Sequence, residues 1–445
     1  MLSVTKQKQN SKGKAGRIIL LLLLAVAVAA VYIGLVRPQL IKYTYVATVE
    51  LIASGIVLAA AVITLLILTI TIVITLIIMI FTNASMRPWL SRIGKQSVVG
   101  LLLTVVLAAS VVISQFLAYT PPILNEDGTS SPDSIASLEK VELNGSKQWI
   151  SIRGKNKNKP VLLFLAGGPG GSQLAAARTQ LKELEEHFVV VGWDQPGSAK
   201  SFDSVPSKDL TPDRYISDGC QLASYLSKRF NQEKIYLVGE SWGSALGIWM
   251  VQKQPELFHS FVGTGQMVSF LDTEKYCYDL ALKTAREKDD SGTVRKLEKQ
   301  GPPPYYGKGV AMKMANYLMY LFKVMNANPV ITDSSHNTFQ DMAGTEYGIY
   351  DKVNYIRGLT STLNTVYQQL YELDLRKQAT ELEVPVYFFE GRHDINAPTV
   401  LAEEYYNLLK APAKKLIWFE HSGHSPWITE NELFVDMMVN EVLNK

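Results

Sequence analysis

Three long apolar stretches near the N-terminus constrain the fold of this chain most, because a water-soluble domain has no place for them. The stretches cover residues 18–36, 51–81 and 98–118, and none contains a charged side chain. Each is long enough to cross a hydrocarbon core of about 30 Å, which takes about 20 helical residues. The middle stretch is rich in Ile, Val and Thr, but a lone strand in lipid would leave its backbone groups unpaired. We therefore expect about three transmembrane helices.

The middle stretch leaves the number of spans open. Its 31 residues would extend over about 46 Å as one helix, more than an untilted crossing requires. We expect one tilted helix, although a break within the stretch would give four spans. The first stretch also contains the small residues "AVAVAA" at 25–30, which are typical of a signal-peptidase site, so cleavage there is an alternative. Two further spans would still hold the chain in the membrane.

Basic residues predict the orientation of these spans. The N-terminal tail has five of them, the segment 37–50 has two and the segment 82–97, expected to be a solvated loop, has three. The positive-inside tendency puts the tail and the 82–97 loop in the cytoplasm. The sequence therefore predicts a multi-pass protein of the cell membrane whose downstream domain is extracytoplasmic. Four spans would reverse that side.

The charge balance differs between the two parts of the chain. Residues 1–120 have ten Lys and Arg against one acid, Glu50, whereas residues 121–445 have 34 bases against 40 acids. The basic excess thus belongs to the membrane end, and we expect no nucleic-acid binding by the downstream domain. The two cysteines, Cys220 and Cys277, lack metal or redox spacing. We expect buried thiols, leave their pairing open, and predict no metal and no cofactor.

Downstream of a Pro-, Ser- and Gly-rich linker at 120–136, strand-like and helix-like segments alternate. Apolar runs suited to buried strands are each followed by a helical pattern, which predicts a mainly parallel sheet covered on both faces. Helical, aromatic-rich sequence then interrupts this alternation, and the strand pattern returns afterwards. We expect an α/β core formed by residues 137–269 and 381–445, with a helical cap at 270–380.

The motif Gly239-Glu240-Ser241-Trp242-Gly243 joins a predicted strand to a predicted helix. A nucleophile elbow requires this context, with a serine on a tight turn and small residues beside it. The N-terminal amides of the following helix also favour negative charge at the site. We predict that Ser241 is a catalytic nucleophile. The alternative is an ordinary serine in a strand-to-helix turn.

A serine nucleophile needs a histidine base, and the base needs an acid to orient it. After a nucleophile elbow the acid and then the histidine follow later strands. Asp394 and His424 occupy these places. The alternatives are Glu390, which still lies within a strand, and His421, which lies at a strand end. We therefore favour Asp394 and His424.

Acyl transfer also requires donors for the developing oxyanion. The backbone amide of Trp242, which follows the serine, is one predicted donor. The glycine loop "LAGGPGGS" at 165–172 supplies the other, through Gly168 or Gly167, because Pro169 has no N–H. The alternative, a phosphate-binding loop, lacks the following Lys-Ser/Thr pair.

Several motifs of this region occur together in one known family. They are "AGGPGG", "WDQPGSAKS", "GESWGSALG", "GPPPY", "GRHD" and "SGHSPW". From residue 138 onwards the chain resembles the prolyl aminopeptidase (proline iminopeptidase) branch of the α/β-hydrolases. The resemblance implies an α/β-hydrolase fold with a helical cap, and a catalytic triad of Ser241, Asp394 and His424. It also implies release of N-terminal residues from short peptides.

The chain departs from this family in two motifs. It has Ala166 where the family usually begins its glycine loop with His, and Pro196 where the family usually has Arg. In the family, acids of the cap bind the free amine of the substrate. Asp341, Glu346 and Asp351 are candidates for that role, although each fits a solvated surface charge better.

These features together predict a membrane-anchored serine hydrolase that releases N-terminal residues from short peptides through an acyl-enzyme. The expected partners are a short peptide or other small acyl substrate and the lipid bilayer. An esterase or lipase of the same fold is the first alternative, because both reactions pass through a tetrahedral oxyanion. A hydrolase-like sensor domain without turnover is the second.

Overall fold

The structure is a computed structural model that describes residues 27–43, 46–125, 127–331 and 338–444. The chain divides into two compact units, residues 1–110 and residues 111–445. Residues 18–26 of the predicted first span, 18–36, lie outside the described residues. Its described part is helical and belongs to helix α1 (27–43), which contains a π-helical turn at Tyr32–Val36.

The first unit contains two long apolar helices, α2 (Val46–Phe81) and the greater part of α3 (Arg87–Leu117). Both are long and apolar enough to cross a membrane, over Thr48–Phe81 and Arg87–Leu117. Helix α2 is continuous, so the break that would have divided the middle stretch does not occur.

The predicted loop at 82–97 is wrong for most of its length. Only residues 82–86 are non-helical, and α3 begins at Arg87, eleven residues before the predicted third span. Pro88 lies in the first turn, where its fixed backbone angle favours helix initiation and its missing N–H costs nothing. The basic residues of this segment therefore extend the apolar helix instead of forming a separate loop.

An eight-stranded sheet forms the centre of the second unit. Strand order is β1-β2-β4-β3-β5-β6-β7-β8, with β1, β2 and β4 joined by antiparallel pairing and the other neighbours parallel. The strands are β1 (Ile135–Leu143), β2 (Ser146–Gly154), β3 (Val161–Leu165), β4 (Val189–Asp194), β5 (Ile235–Glu240), β6 (Phe258–Thr264), β7 (Val386–Gly391) and β8 (Lys414–Phe419).

Helices follow most of the parallel strands and cover both faces of the sheet. Successive residues of a strand enter opposite cores: Leu163 belongs to one hydrophobic cluster and Leu162 to the other. Burial on both faces explains the continuous apolar runs of the sequence. The helices are α4 (Leu174–Gln180), α5 (Pro212–Arg229), α6 (Trp242–Lys253), α7 (Phe270–Glu287), α8 (Ser291–Gln300), α9 (Val310–Asn326), α10 (Thr338–Met342), α11 (Ile349–Arg357), α12 (Leu363–Val366), α13 (Leu375–Gln378), α14 (Thr399–Leu408), α15 (Pro426–Thr429) and α16 (Asn431–Met437).

The helices α7 to α13 lie between β6 and β7, in the segment assigned to a cap by the sequence. The last turns of α3 pack against this segment within the second unit. Ser114 Oγ accepts a hydrogen bond from the Ile349 amide at 2.8 Å, and the Tyr119 amide donates to Thr345 O at 2.9 Å. The residues that precede α11 are thereby attached to the end of α3.

The parallel strands bring their carboxyl ends to one edge of the sheet. Leu165 pairs with Gly239, Gly239 with Gly263, and Thr264 with Phe389. Loops that follow neighbouring strands therefore meet at this edge, where ligands of open α/β sheets bind.

Candidate active site

Ser241 lies on a strained turn between β5 and α6. Its backbone has φ 54° and ψ −122°, a conformation that residues other than glycine rarely adopt. A Cβ atom at Gly239 would lie 2.2 Å from Gly243 O, and one at Gly243 would lie 2.2 Å from Leu165 O. Only glycine fits at these two positions, which is the physical reason for the Gly-x-Ser-x-Gly spacing.

Asp394 and His424 are in direct contact. His424 Nδ1 lies 2.8 Å from Asp394 Oδ2, and both side chains are buried. The other carboxylate oxygen of Asp394 accepts the amides of Asn396 at 2.7 Å and Ala397 at 3.0 Å. The loop after β7 thus holds the carboxylate in one orientation, facing the imidazole.

The turn of Ser241 and the loop of His424 approach each other through β6. The Ser241 amide donates to Thr264 O at 3.0 Å. A Cβ atom on the next residue, Gly265, would lie 2.9 Å from Cε1 and 3.0 Å from Nδ1 of His424. Within the part of the chain that the structure describes, no hydrogen bond joins Ser241 Oγ to the imidazole; such contacts are often long in unliganded sites.

Carboxylates around His424 set its protonation. Burial lowers the pKa of the imidazole, but the charge and hydrogen bond of Asp394, followed by the charges of Glu240 and Glu390, outweigh burial and raise the pKa to about 9. Burial, assisted by the charge of Asp394, raises the pKa of Glu390 well above its usual value. Asp394 makes the largest of these three contributions to the pKa of His424, in agreement with its direct contact with the imidazole.

The two alternatives for the acid and the base have other contacts. Glu390 accepts the Gln266 amide, at 3.1 Å from Oε1. His421 is exposed, and its Nδ1 lies 3.2 Å from Val330 O. The structure therefore brings Asp394, not Glu390, into contact with His424.

The predicted oxyanion donors lie around the turn. Trp242 is the first residue of α6, so its amide has no acceptor within the helix. The Gly167 amide donates to Gln173 Oε1 at 3.3 Å. For the Gly168 amide, no protein acceptor is found within the described residues. Of the two glycines left open by the sequence, Gly168 is therefore the one whose amide remains available.

Sequence reasoning missed two polar side chains that join these loops. Gln195 accepts Trp242 Nε1 at 2.8 Å and donates to Ala166 O at 3.1 Å, and so links α6 to the glycine loop. Glu240 is buried directly before the serine and accepts three side-chain donors. The available signal was an acid at the end of an otherwise apolar strand, a place where a charge requires partners.

Asp194 shapes the loop after β4. Its carboxylate accepts the Ser172 hydroxyl and, at 2.9 Å, the Lys200 amide. Burial raises the pKa of Asp194 to about 7 against these hydrogen bonds. Ser172 Oγ also lies 2.6 Å from Tyr347 Oη, which connects this loop to the segment before α11.

The expectation that Asp341, Glu346 and Asp351 are solvated surface charges is wrong. All three are buried. Glu346 pairs with Arg178, and Asp351 lies 2.8 Å from Lys200 Nζ. Burial of a charge is costly unless a partner compensates it, and these pairs supply that compensation.

Neither cysteine is in a disulfide: Cys220 and Cys277 are both free and buried. Within the described residues, no group of three or more His, Cys, Asp or Glu side chains could hold a metal ion. His336 lies outside the described residues.

Comparison with known proteins assigns the family. The model of the alpha/beta hydrolase fold family matches residues 160–430, more than half of the chain. The chain belongs to the α/β-hydrolase family. The probable aminopeptidase YbaC of Bacillus subtilis (strain 168) is 32% identical to this hydrolase over 310 residues, which are 68% of this chain and 96% of the relative.

Two proline iminopeptidases resemble this α/β-hydrolase as well. That of Clostridium botulinum (strain Hall) is 26% identical over 292 residues, 65% of this chain and 91% of the relative. The crystal structure of the proline iminopeptidase of Mycobacterium smegmatis has a TM-score of 0.51 at 17% identity, covering 69% of this chain and 98% of that one, and shows the shared fold. The predicted resemblance to prolyl aminopeptidase-like α/β-hydrolases is confirmed, and so is the predicted fold.

Proposed function

We propose that this α/β-hydrolase is a membrane-anchored serine peptidase that releases N-terminal residues from short peptides. The observation that carries the proposal is the contact between His424 Nδ1 and Asp394 Oδ2 at 2.8 Å, beside the strained turn of Ser241. A nucleophile after β5, an orienting acid after β7 and a base after β8, all at the same edge of the sheet, would supply the three groups that acyl transfer requires.

In the proposed reaction, His424 Nε2 accepts the Ser241 proton as the oxygen attacks the carbonyl carbon of the first peptide bond. Asp394 keeps the second imidazole proton on Nδ1 and stabilises the imidazolium. The amides of Trp242 and Gly168 stabilise the oxyanion. The protonated imidazole then gives its proton to the leaving amine, and an acyl-enzyme remains. A water molecule, activated by the same imidazole, hydrolyses this ester.

The position of the cap favours the proposal that the substrate is short. On α9, the Phe322 ring lies 6.2 Å from the His424 ring, and Met325 Sδ would lie 2.7 Å from a Cβ atom on Gly423. The cap thus covers the loop that carries the imidazole. Two relatives are named aminopeptidase and proline iminopeptidase. These names agree with a peptide substrate whose N-terminus lies at the active site.

The test uses the full chain in detergent with fluorogenic amides of proline, alanine and leucine that have a free amine. We expect turnover and labelling of Ser241 by a fluorophosphonate probe. Ser241→Ala abolishes labelling and lowers the rate by about 10³-fold or more. Ser207→Ala, at an exposed serine, is the matched control and retains both. Absence of labelling in the wild type would instead support the sensor domain without turnover.

An esterase remains the second candidate, because two of the cap acids proposed for amine binding are occupied. Glu346 pairs with Arg178 and Asp351 with Lys200, so neither is available to a substrate amine. This candidate predicts rapid hydrolysis of acyl esters without an amine and no turnover of any unblocked amide. The same panel of substrates, extended by p-nitrophenyl esters, separates the two candidates.

The apolar helices support the proposed anchoring. Threonine hydroxyls of α2 donate to the carbonyl oxygen four residues earlier, at 2.8 Å for Thr64, 2.8 Å for Thr71 and 2.7 Å for Thr75. Polar groups that are satisfied within their own helix can enter a hydrocarbon layer, where water offers no hydrogen bonds. We propose that α2 and α3 cross the cell membrane and that the hydrolase is extracytoplasmic.

A further inference from the structure

Glu240 is a buried acid that the reaction itself does not use. It is the last residue of β5, next to Ser241, and its side chain is 3% exposed. Within the described residues, no Lys or Arg side chain forms an ion pair with it. An uncompensated buried carboxylate is costly, so hydrogen bonds must take the place of an ion pair.

One carboxylate oxygen of Glu240 holds the glycine loop through Gln173. Gln173 Nε2 donates to Glu240 Oε2, and this contact fixes which end of the amide faces the acid. Gln173 Oε1 consequently points the other way and accepts the Gly167 amide at 3.3 Å. A Cβ atom on Gly167 would lie 3.3 Å from Ser241 Cβ. Glu240 thus controls the placement of the loop that carries Gly168.

The other carboxylate oxygen holds the loop that carries the imidazole. Ser425 Oγ and, at 2.8 Å, Trp427 Nε1 both donate to Glu240 Oε1. Ser425 follows His424 directly, and Trp427 lies three residues after His424. The fully buried Trp427 ring packs edge-on against Phe164 of β3 at 5.1 Å. One side chain therefore joins the segments of the nucleophile, the base and the oxyanion donor.

We propose that Glu240 is a positioning residue of this site, whose carboxylate aligns the glycine loop and the His424 loop with Ser241. A carboxylate suits this task because it accepts hydrogen bonds at both oxygens and brings no donor of its own. The inference rests on the proposed function, since alignment matters only if Ser241 reacts. In the proposed reaction Glu240 acts through Gln173, Ser425 and Trp427 and transfers no proton itself.

The decisive variant is Glu240→Gln, which keeps the shape and replaces one acceptor by an NH₂ group. The new NH₂ faces Gln173 Nε2, another donor, so Gln173 must rotate its amide and lose the Gly167 contact. We expect kcat to fall about 10- to 100-fold, the size of effect that a small misplacement produces, while KM changes less than kcat. The thermal unfolding midpoint is measured in parallel.

A second substitution tests the mechanism by rescue. In the double variant Glu240→Gln with Gln173→Glu, the acid and the amide exchange places. Glu at 173 accepts both the new NH₂ group and the Gly167 amide, and Gln at 240 still accepts Ser425 and Trp427. We expect the kcat of the double variant to be at least tenfold higher than that of Glu240→Gln alone. Glu233→Gln, at an exposed acid before β5, is the matched control and keeps the wild-type rate.

The pH profile gives a readout that loss of stability alone would not change. The charges of three carboxyl groups raise the pKa of His424: those of Asp394, Glu240 and Glu390. Removal of the Glu240 charge moves the acid limb of kcat/KM to lower pH, and the Gln173→Glu exchange moves it partly back. Ser425→Ala, which removes one donor and keeps the acid, leaves the limb in place and lowers kcat less than Glu240→Gln does.

The outcomes separate this inference from the proposed function. If wild type hydrolyses the substrates and Glu240→Gln matches it in kcat and pH profile, the inference is wrong and the function stands. The inference is also wrong, and the function stands, if Glu240→Gln and the double variant lose the same amount of activity. Their loss of activity must then be no larger than their loss of stability explains. If wild type shows neither turnover nor fluorophosphonate labelling, the proposed function fails first.

Discussion

His424 determines how the site depends on pH. Its pKa is raised to about 9 because Asp394, with Glu240 and Glu390, stabilises the charged imidazole more than burial destabilises it. In the proposed reaction only the neutral imidazole accepts the serine proton, so we expect activity to be lost as the pH falls below about 9. We expect kcat/KM to rise about tenfold per pH unit from 7 towards 9. A pH series with a proline or alanine amide measures this limb.

Asp394→Asn supplies the control for this pH dependence. Without the carboxylate the pKa of His424 falls, so the acid limb moves to lower pH. The plateau rate drops by about 10³- to 10⁴-fold, because the amide no longer holds the required tautomer. A limb that stays in place in Asp394→Asn would contradict the role of Asp394 as the main charge on His424.

Glu274 in the cap predicts a pH dependence of stability. This acid of α7 is buried between two tyrosines and accepts Tyr367 Oη at 2.8 Å and Tyr317 Oη. Burial raises its pKa from 4.5 to about 8, although the Tyr367 hydrogen bond opposes the shift. The folded state then holds the proton more tightly than the unfolded state. The free energy of unfolding therefore falls as the pH rises between these two values, by about 1.4 kcal/mol per pH unit.

Glu274→Gln removes this slope, because an amide does not titrate. Relative to wild type, we expect the variant to gain stability between pH 5 and pH 8, as measured by urea unfolding of the detergent-solubilised chain. Glu287→Gln, at an exposed acid of the same helix, should leave the wild-type slope unchanged. Parallel pH curves for wild type and Glu274→Gln would show that Glu274 is charged in the folded state.

At the scale of elements, a buried ion pair joins α11 to the loop after β4. Lys200 Nζ lies 2.8 Å from Asp351 Oδ2, and the two side chains are 2% and 6% exposed. Removal of one partner of a buried pair typically costs about 3–5 kcal/mol. We expect this loss for Lys200→Met, measured by urea unfolding. Lys283→Met breaks an exposed pair with Glu287 and should cost less than about 1 kcal/mol.

The double variant Lys200→Met with Asp351→Leu tests whether the loss comes from an uncompensated charge. Removal of both charges should restore most of the stability. A residual cost of about 1 kcal/mol is expected, because Asp351 also accepts the Gly348 amide at 2.9 Å at the start of α11. If the double variant is no more stable than Lys200→Met, packing and not charge explains the loss.

The same elements show what the sequence could predict. Strands β3, β5 and β7 were predictable because burial on both faces makes them continuous apolar runs. The turn of Ser241 was predictable because only glycine fits on either side of it. The pair of Lys200 and Asp351 was not, because residues 151 positions apart meet only through the tertiary fold. The start of α3 was missed because its basic residues resemble those of a loop.

The charge and apolar length of the helices together predict a membrane topology for the whole chain. Arg87, Arg92 and Lys95 lie in the first turns of α3, and the Arg92 guanidinium stacks on the Trp89 ring at 5.0 Å. A basic and aromatic helix start suits the headgroup layer on the cytoplasmic side. If α3 crosses the membrane once, we expect its other end, and the hydrolase that follows, to lie outside.

Cysteine accessibility tests this topology in intact cells, because the native thiols are buried and should not react. Asn83→Cys lies between α2 and α3, and Lys157→Cys lies on an exposed turn of the hydrolase. With a membrane-impermeant maleimide, we expect Lys157→Cys to react in intact cells and Asn83→Cys to react only after permeabilisation. The reverse pattern would place the hydrolase in the cytoplasm. Reaction of both variants in intact cells would mean that α3 does not cross the membrane, and the proposed anchoring would then have to rest on α2 alone.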